Sequence, residues 1–220
     1  MYVWEIRHHR QILVSHFPNL PPNERDFLGH MFKQDPKNYH VWSYRHWLVR
    51  QFKLWDDPRE MEDVEALIDA DVHNNSAWNH RFVLRFGPRG EDAGMPPNGH
   101  TLVKGKLSVV DEDLIDSELD YVKGKIVIVP ENRSPWAYAR GVFRAAGRSI
   151  SEWAGFAEKF IITADDDQVR SSHALEWLAD VYGLGESKDK EEAVRLFTLL
   201  KEKYDPIRRN YWDYRIRLLA

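Results

Sequence analysis

The chain contains no cysteine. That excludes disulfides, a thiolate nucleophile and any thiolate-based zinc site, and it fits a reducing compartment. No apolar run approaches the roughly 18 residues of a membrane span, and no signal-peptide pattern opens the chain, so the expected location is the cytosol. Neither sign of charge dominates. With 31 basic against 35 acidic residues the formal charge is −4, which gives no electrostatic footprint for a nucleic-acid partner. A zinc-protease HExxH run is absent. His8, His9 and His16 resemble a metal cluster only superficially, because no acidic or thiol ligand is spaced to complete it.

Tryptophan, by contrast, is abundant, at nine of 220 residues. Around Trp42 the chain carries Asn38 four residues before, Arg45 three after and Leu48 six after, which places all four near one face of a helix. The frame recurs at Trp78, with Asn74, Arg81 and Leu84, and at Trp136, with Asn132 but with Ala139 in the Arg position. It continues through Leu175 to Trp212, which is followed by Arg215. The steps are 36, 58, 39 and 37 residues, the longest containing one inserted loop. A period of roughly 20 to 50 residues means stacked supersecondary units that cannot bury their apolar faces alone. Here each unit is expected to be a helical hairpin, and residues 1–220 a single all-α domain, an α-α superhelix forming a crescent of antiparallel pairs.

At the start, Trp4 and Arg7 match the Trp-to-Arg spacing, but Arg10 with Leu13 matches the Arg-to-Leu spacing and lies 35 residues before Arg45. The Arg10 frame is preferred, and the chain is expected to begin inside a repeat. Helices are expected after the turn at 18–23, over Asn38–Trp55, from Asp57-Pro58 onward, and from the Trp78 motif to about Phe86. In the helix after Pro58, Met61, Val64, Leu67 and Ile68 are expected to face inward, with Glu60, Glu62, Asp63 and Glu65 on a solvated face. Residues 87–112 hold five glycines and three prolines between Gly87 and Gly105 and read as a surface insertion, with a short β-hairpin at Thr101–Val110. Beyond it, helices are expected at Leu114–Val129, Pro135–Gly147, Ser151–Ala164, Ser172–Tyr182, Lys188–Tyr204 and Ile207–Leu219.

The run Pro36-Lys37-Asn38-Tyr39-His40-Val41-Trp42-Ser43-Tyr44-Arg45, followed 36 residues later by Asn74-Asn75-Ser76-Ala77-Trp78-Asn79-His80-Arg81, resembles the α subunits of protein prenyltransferases. The segment Gln51-Phe52-Lys53-Leu54-Trp55-Asp56 is most similar to the branch shared by farnesyltransferase and type I geranylgeranyltransferase. The resemblance implies a heterodimer with a β subunit that holds the catalytic zinc and most of the substrate pocket, with magnesium accompanying the prenyl diphosphate. The implied reaction transfers a farnesyl or geranylgeranyl group to the cysteine of a C-terminal Cys-a-a-X motif, and this chain alone is expected to be inactive.

The resemblance also implies that the Lys of one Pro-Lys-Asn-Tyr loop contacts the diphosphate. In the Arg10 frame that Lys falls at Tyr2, so the family's lysine is expected to be missing and the chain to be truncated at its N-terminus. The next loop supplies Lys37, Asn38, Tyr39 and His40 as substrate-side candidates, together with Asn74. A helix N-terminus suits an anion because free N–H groups and the dipole point there. Trp42, Arg45, Trp78, Arg81, Asn132, Trp136, Trp212 and Arg215 read as the structural repeat motif, Trp by helix packing and Asn by locking loops. Two further readings stand beside this one. One is a non-catalytic helical-repeat scaffold of the tetratricopeptide sort, whose 34-residue pattern of small residues is absent. The other is the α subunit of Rab geranylgeranyltransferase.

Overall fold

The computed structural model describes residues 3–87, 111–161 and 169–219, with side chains from His8 onward. The chain divides into two compact units, Met1–Ser108 and Val109–Ala220, and the division falls inside the stretch that interrupts the repeat rhythm. Among the described residues every regular element is helical, and the one extended pairing is an isolated bridge between Ile161 and Val169.

The first unit holds α1 (Val3–Ser15), α2 (Asn23–Gln34), α3 (Tyr39–Gln51), α4 (Pro58–Ala70) and α5 (Asn75–Phe86). Short turns at 35–38 and 71–74 fold α2 onto α3 and α4 onto α5, giving helical hairpins. The punctuation is set by side chains. Asn38 Oδ1 accepts the N–H groups of His40 and Val41, and Asn74 Oδ1 those of Ser76 and Ala77. Asp57 caps α4 through the Arg59 N–H, with Pro58 at the first helical position, where its missing N–H costs nothing. Val64, Ile68, Ala77, Trp78 and Leu84 are almost fully buried, and each large apolar side chain among them contributes about 1.5–3 kcal/mol relative to exposure.

The second unit holds α6 (Glu112–Ile128), α7 (Arg133–Ala146), α8 (Ala154–Glu158), α9 (Ser172–Gly183), α10 (Ser187–Leu199) and α11 (Arg209–Arg217). Ile115, Leu119, Val122 and Ile126 recur at four and three residues and bury one stripe of α6 against α7. Trp136, Phe143, Trp153 and Trp177 form an aromatic cluster with ring centroids 5.4 to 5.7 Å apart. Ala139, in the Arg position of the frame, is completely buried, so a small apolar side chain fills the place that a paired guanidinium fills elsewhere. Asn132 caps α7, and Ser171, four residues before Leu175, caps α9 through the Ala174 N–H.

Several boundaries differ from the sequence expectation. The Asn38–Trp55 helix stops at Gln51, because Phe52 closes onto Leu48 and Lys53 takes a left-handed conformation (φ 54°) ahead of a 3-10 turn at Leu54–Asp56. The Ser151–Ala164 helix is shorter still: a 3-10 turn at Ile150–Trp153 leads into α8, and after Glu158 three successive i→i+3 bonds lead to the bridge at Ile161. Ile161 is β-branched, which disfavours continuing a helix, and residues 162–164 of the expected helix lie outside the described residues. The Lys188–Tyr204 segment is α-helical to Leu199 and then widens into a π turn at Leu200–Tyr204, closed by Asp205 N–H onto Leu200 O at 2.7 Å. The final helix opens with a 3-10 turn at Pro206–Arg208. The expected hairpin at Thr101–Val110 lies outside the described residues.

Candidate functional site

The turns before α3 and α5 are built alike. Asp35 Oδ1 accepts the Lys37 N–H at 3.1 Å, and Asp71 Oδ1 accepts the His73 N–H at 2.9 Å. In three repeats the Trp indole then bonds the backbone oxygen six residues back: Trp42 to Pro36 at 2.8 Å, Trp78 to Val72 at 2.9 Å and Trp136 to Pro130 at 2.9 Å. A second donor reaches the same oxygen from the following repeat. Asn74 Nδ2 lies 3.1 Å from Pro36 O, and Ser171 Oγ lies 2.7 Å from Pro130 O. At Trp212 the register shifts, since its indole bonds Asp205, seven residues back, through both the backbone oxygen and Oδ2. The π turn just before Asp205 supplies the extra residue.

Behind these turns runs a set of buried carboxylates, Glu24, Glu60 and Glu118, of which the sequence reading placed Glu60 on a solvated face and did not single out the other two. Glu60 is 3% exposed, not on a solvated face. It accepts from Arg45 Nε at 2.9 Å and Arg25 Nη1 at 3.0 Å, and it faces His80 Nε2 at 3.4 Å. Asp63 meets Arg45 at 2.9 Å and Glu65 meets Arg81 at 2.7 Å, so most of the acidic run is engaged with arginines of the repeat motif. Glu24 takes both Arg10 Nε and Nη2 (3.0 and 2.8 Å) and the Tyr44 hydroxyl at 2.7 Å; Glu118 takes the Tyr138 hydroxyl at 2.6 Å. Glu24, Glu60 and Glu118 each stand 18 residues before the motif Trp and receive a donor two residues after it. That shared spacing was the signal available in the sequence. Arg10 reaches Glu24 as Arg45 reaches Glu60, which agrees with the Arg10 frame.

Burial and pairing set the ionisation of this network. Burial raises the Glu60 pKa, but His80 and Arg45 outweigh it and hold the carboxyl at about 2. His80 is fully buried and pushed down to about 4 by desolvation, although Glu60 pulls the other way. Its ring stacks on His46 with centroids 4.7 Å apart, and burial together with His80 lowers His46 to about 3. Burial and the Glu24 contact raise the Tyr44 pKa. These groups are neutral histidines and a fixed carboxylate near pH 7, which suits a structural joint.

The substrate-side candidates separate into two kinds. Tyr39, Lys37 and His40 lie together at the start of α3. Tyr39 is 71% exposed with its ring edge-on to His40, and His40 is half-buried with Nδ1 shielded and unbonded. Lys37 Nζ sits 2.9 Å from Asp71 Oδ2. Asn38 and Asn74 serve the backbone, Asn74 being completely buried. Because Asn38 occupies the His40 and Val41 amides, an anion at this helix start would meet side chains and not those N–H groups. In the last repeat Arg215 pairs with Asp180 and lies 2.9 Å from the Tyr211 hydroxyl, and Trp212 stacks on Phe197. Among the described residues no three or more His, Cys, Asp or Glu side chains converge as a metal would require, and no helix is long and apolar enough to cross a membrane.

Comparison with known proteins agrees with this construction. Residues 21–52 and 57–85 match the family described as protein prenyltransferase alpha subunit repeat. The Candida albicans protein farnesyltransferase/geranylgeranyltransferase type-1 subunit alpha is 40% identical over 223 residues, covering 99% of this chain and 66% of the relative. The Dictyostelium discoideum protein of the same name is 28% identical over 209 residues, covering 94% of this chain and 58% of the relative. The chain thus spans two thirds or less of the length of these curated relatives. A solved structure of Candida albicans protein geranylgeranyltransferase-I complexed with GGPP superposes with a TM-score of 0.84 at 39% identity, covering 99% of this chain and 67% of that one. Identity at that level along the whole chain, on the same helical repeats, leads to one conclusion: the chain belongs to the protein prenyltransferase α-subunit family.

Proposed function

We propose that this chain acts as the α subunit of a cytosolic heterodimeric protein prenyltransferase of the farnesyltransferase/geranylgeranyltransferase type I branch. Its partner is a separate β subunit, and its substrates are a prenyl diphosphate and proteins ending in Cys-a-a-X. The observation that carries this reading is the 40% identity to the Candida albicans subunit over 99% of the chain. The family resemblance assigns the zinc to the β subunit, where it would lower the pKa of the substrate thiol, and magnesium would accompany the diphosphate. The contribution of this chain is electrostatic and positional. Lys37 and the Tyr39 hydroxyl are donors for diphosphate oxygens, His40 flanks them, and Asn38 and Asn74 fix the turns that present them.

The test is co-expression with a farnesyltransferase or type I geranylgeranyltransferase β subunit, followed by an assay of prenyl transfer to a Cys-a-a-X peptide. A stable complex is expected. In it, a Tyr39→Phe, His40→Ala double variant should lower kcat/KM by about tenfold or more, the scale of one lost charge-assisted hydrogen bond. Failure of the folded chain to bind either β subunit would refute the subunit reading, and unchanged kinetics in the double variant would remove the site.

A further inference from the structure

The turns 35–38 and 71–74 are equivalent, yet their aspartates are used differently. Asp35 spends both oxygens on its own turn: Oδ1 on the Lys37 N–H and Oδ2 on Asn38 Nδ2 at 3.2 Å. Asp71 keeps the first of these bonds, to the His73 N–H. The second is missing, because the Asn74 amide turns away to Pro36 O of the preceding turn. Asp71 Oδ2 is thereby left for a partner outside its turn, and it takes Lys37 Nζ at 2.9 Å. Two contacts now run in opposite directions between neighbouring turns: an amide from 74 to 36 and an ammonium from 37 to 71. In the third turn Val129 occupies the Asp position, and the carboxylate of that turn, Glu131, instead accepts the N–H and hydroxyl of Ser172 in the following turn.

We propose that Asp71 is a positioning residue for Lys37, a latch whose carboxylate holds the ammonium in the absence of ligand and competes with the incoming prenyl diphosphate for it. This rests on the reading that Lys37 meets the diphosphate. The ammonium has three donors on a flexible stem and remains 56% exposed on its side chain, so it can turn from the carboxylate to an anion without leaving its turn. The same carboxylate repels the diphosphate at short range. Lys37 in turn lowers the Asp71 pKa, so the latch is ionised near pH 7.

The experiment uses the complex with a farnesyltransferase β subunit and compares wild type, Asp71→Asn, Lys37→Ala and the double variant. Dissociation constants are measured for farnesyl diphosphate and for farnesol, which lacks the diphosphate, at low and high salt. Asn at 71 retains a carbonyl oxygen for the His73 N–H, so the turn is preserved. Asp71→Asn should tighten farnesyl diphosphate binding by about five- to tenfold at low salt and less at high salt, with farnesol unaffected. Lys37→Ala should weaken diphosphate binding and reduce the effect of Asp71→Asn to the smaller part that comes from direct repulsion alone. If Lys37→Ala weakens binding but Asp71→Asn does not tighten it, or tightens it equally without Lys37, the latch is wrong while the site stands. If Lys37→Ala changes nothing, the reading of Lys37 fails and the latch with it.

Discussion

Replacing Glu60 by Ala removes a carboxylate that three groups from three helices share, and its neighbour Glu62 supplies the control. Glu60 and the side chain of Arg45 are each 3% exposed, and Arg45 keeps only Asp63, a half-exposed partner, once Glu60 is gone. Arg25 retains Asp57 at 2.7 Å, so its loss is smaller. Removing one member of a buried ion pair costs about 3–5 kcal/mol, most of it the penalty of leaving the other charge buried. For a chain of this length each kcal/mol lowers the melting temperature by about 2–4 °C, so Glu60→Ala should fall by roughly 6–20 °C. Glu62, exposed on the same helix, should stay within about 0.5 kcal/mol when changed to Ala. Urea titrations followed by circular dichroism at pH 7 measure both. Equal, small effects for the two variants would refute the buried network and restore the picture of a uniformly solvated acidic face.

Two further outcomes follow from the same core. His80 has its pKa depressed from 6.5 to about 4, so the unfolded chain takes up the proton first. The stability it contributes is complete above pH 6.5 and is lost as the pH falls toward 4, by up to about 3 kcal/mol; urea midpoints at pH 7 and pH 5 should differ less in a His80→Asn variant than in wild type. Glu60, with its depressed pKa, adds its own acid loss only as the pH falls below about 4.5 toward 2. Tyr138→Phe removes the hydroxyl that lies 2.6 Å from buried Glu118 and should cost about 1.5–3 kcal/mol in a urea titration, whereas Tyr39→Phe, at an exposed position, should leave the midpoint unchanged.

What could be read from the sequence was whatever depends on nearby residues. Asn38, Asn74 and Asn132 bond amides two or three residues on, and Asp57-Pro58 starts a helix by its own chemistry, so these features were visible as local pattern. The Trp frame was visible because a large ring with one donor has the same packing and the same oxygen to reach in successive repeats. The role of Glu60 was not, because its neighbours in sequence are acidic and its partners lie 15 to 35 residues away at Arg45, His80 and Arg25. An amphipathic pattern tells which face carries charge but not what stands opposite it. The Ser151–Ala164 helix failed for a related reason: Trp153, Phe156 and Phe160 have helical spacing, yet they pack as an aromatic cluster around a 3-10 turn and one short helix. For the candidate site, the position of Tyr39 and His40 followed from the motif, whereas the contact from Lys37 to Asp71 spans 34 residues and needed coordinates.

Pro36 O and Pro130 O each accept one bond from their own repeat and one from the next. The second donor is an amide at Asn74 and a hydroxyl at Ser171, so the residue can differ between repeats while the bond is kept. It also constrains how such a gene can gain or lose repeats. A duplication or deletion whose two breakpoints fall at the same point of the repeat keeps a second donor opposite oxygens such as those of Pro36 and Pro130 and leaves those joints whole. One that is out of phase leaves a turn oxygen with a single bond and sets a mismatched face against its neighbour. Recombination within the array is therefore filtered by phase before any question of activity arises.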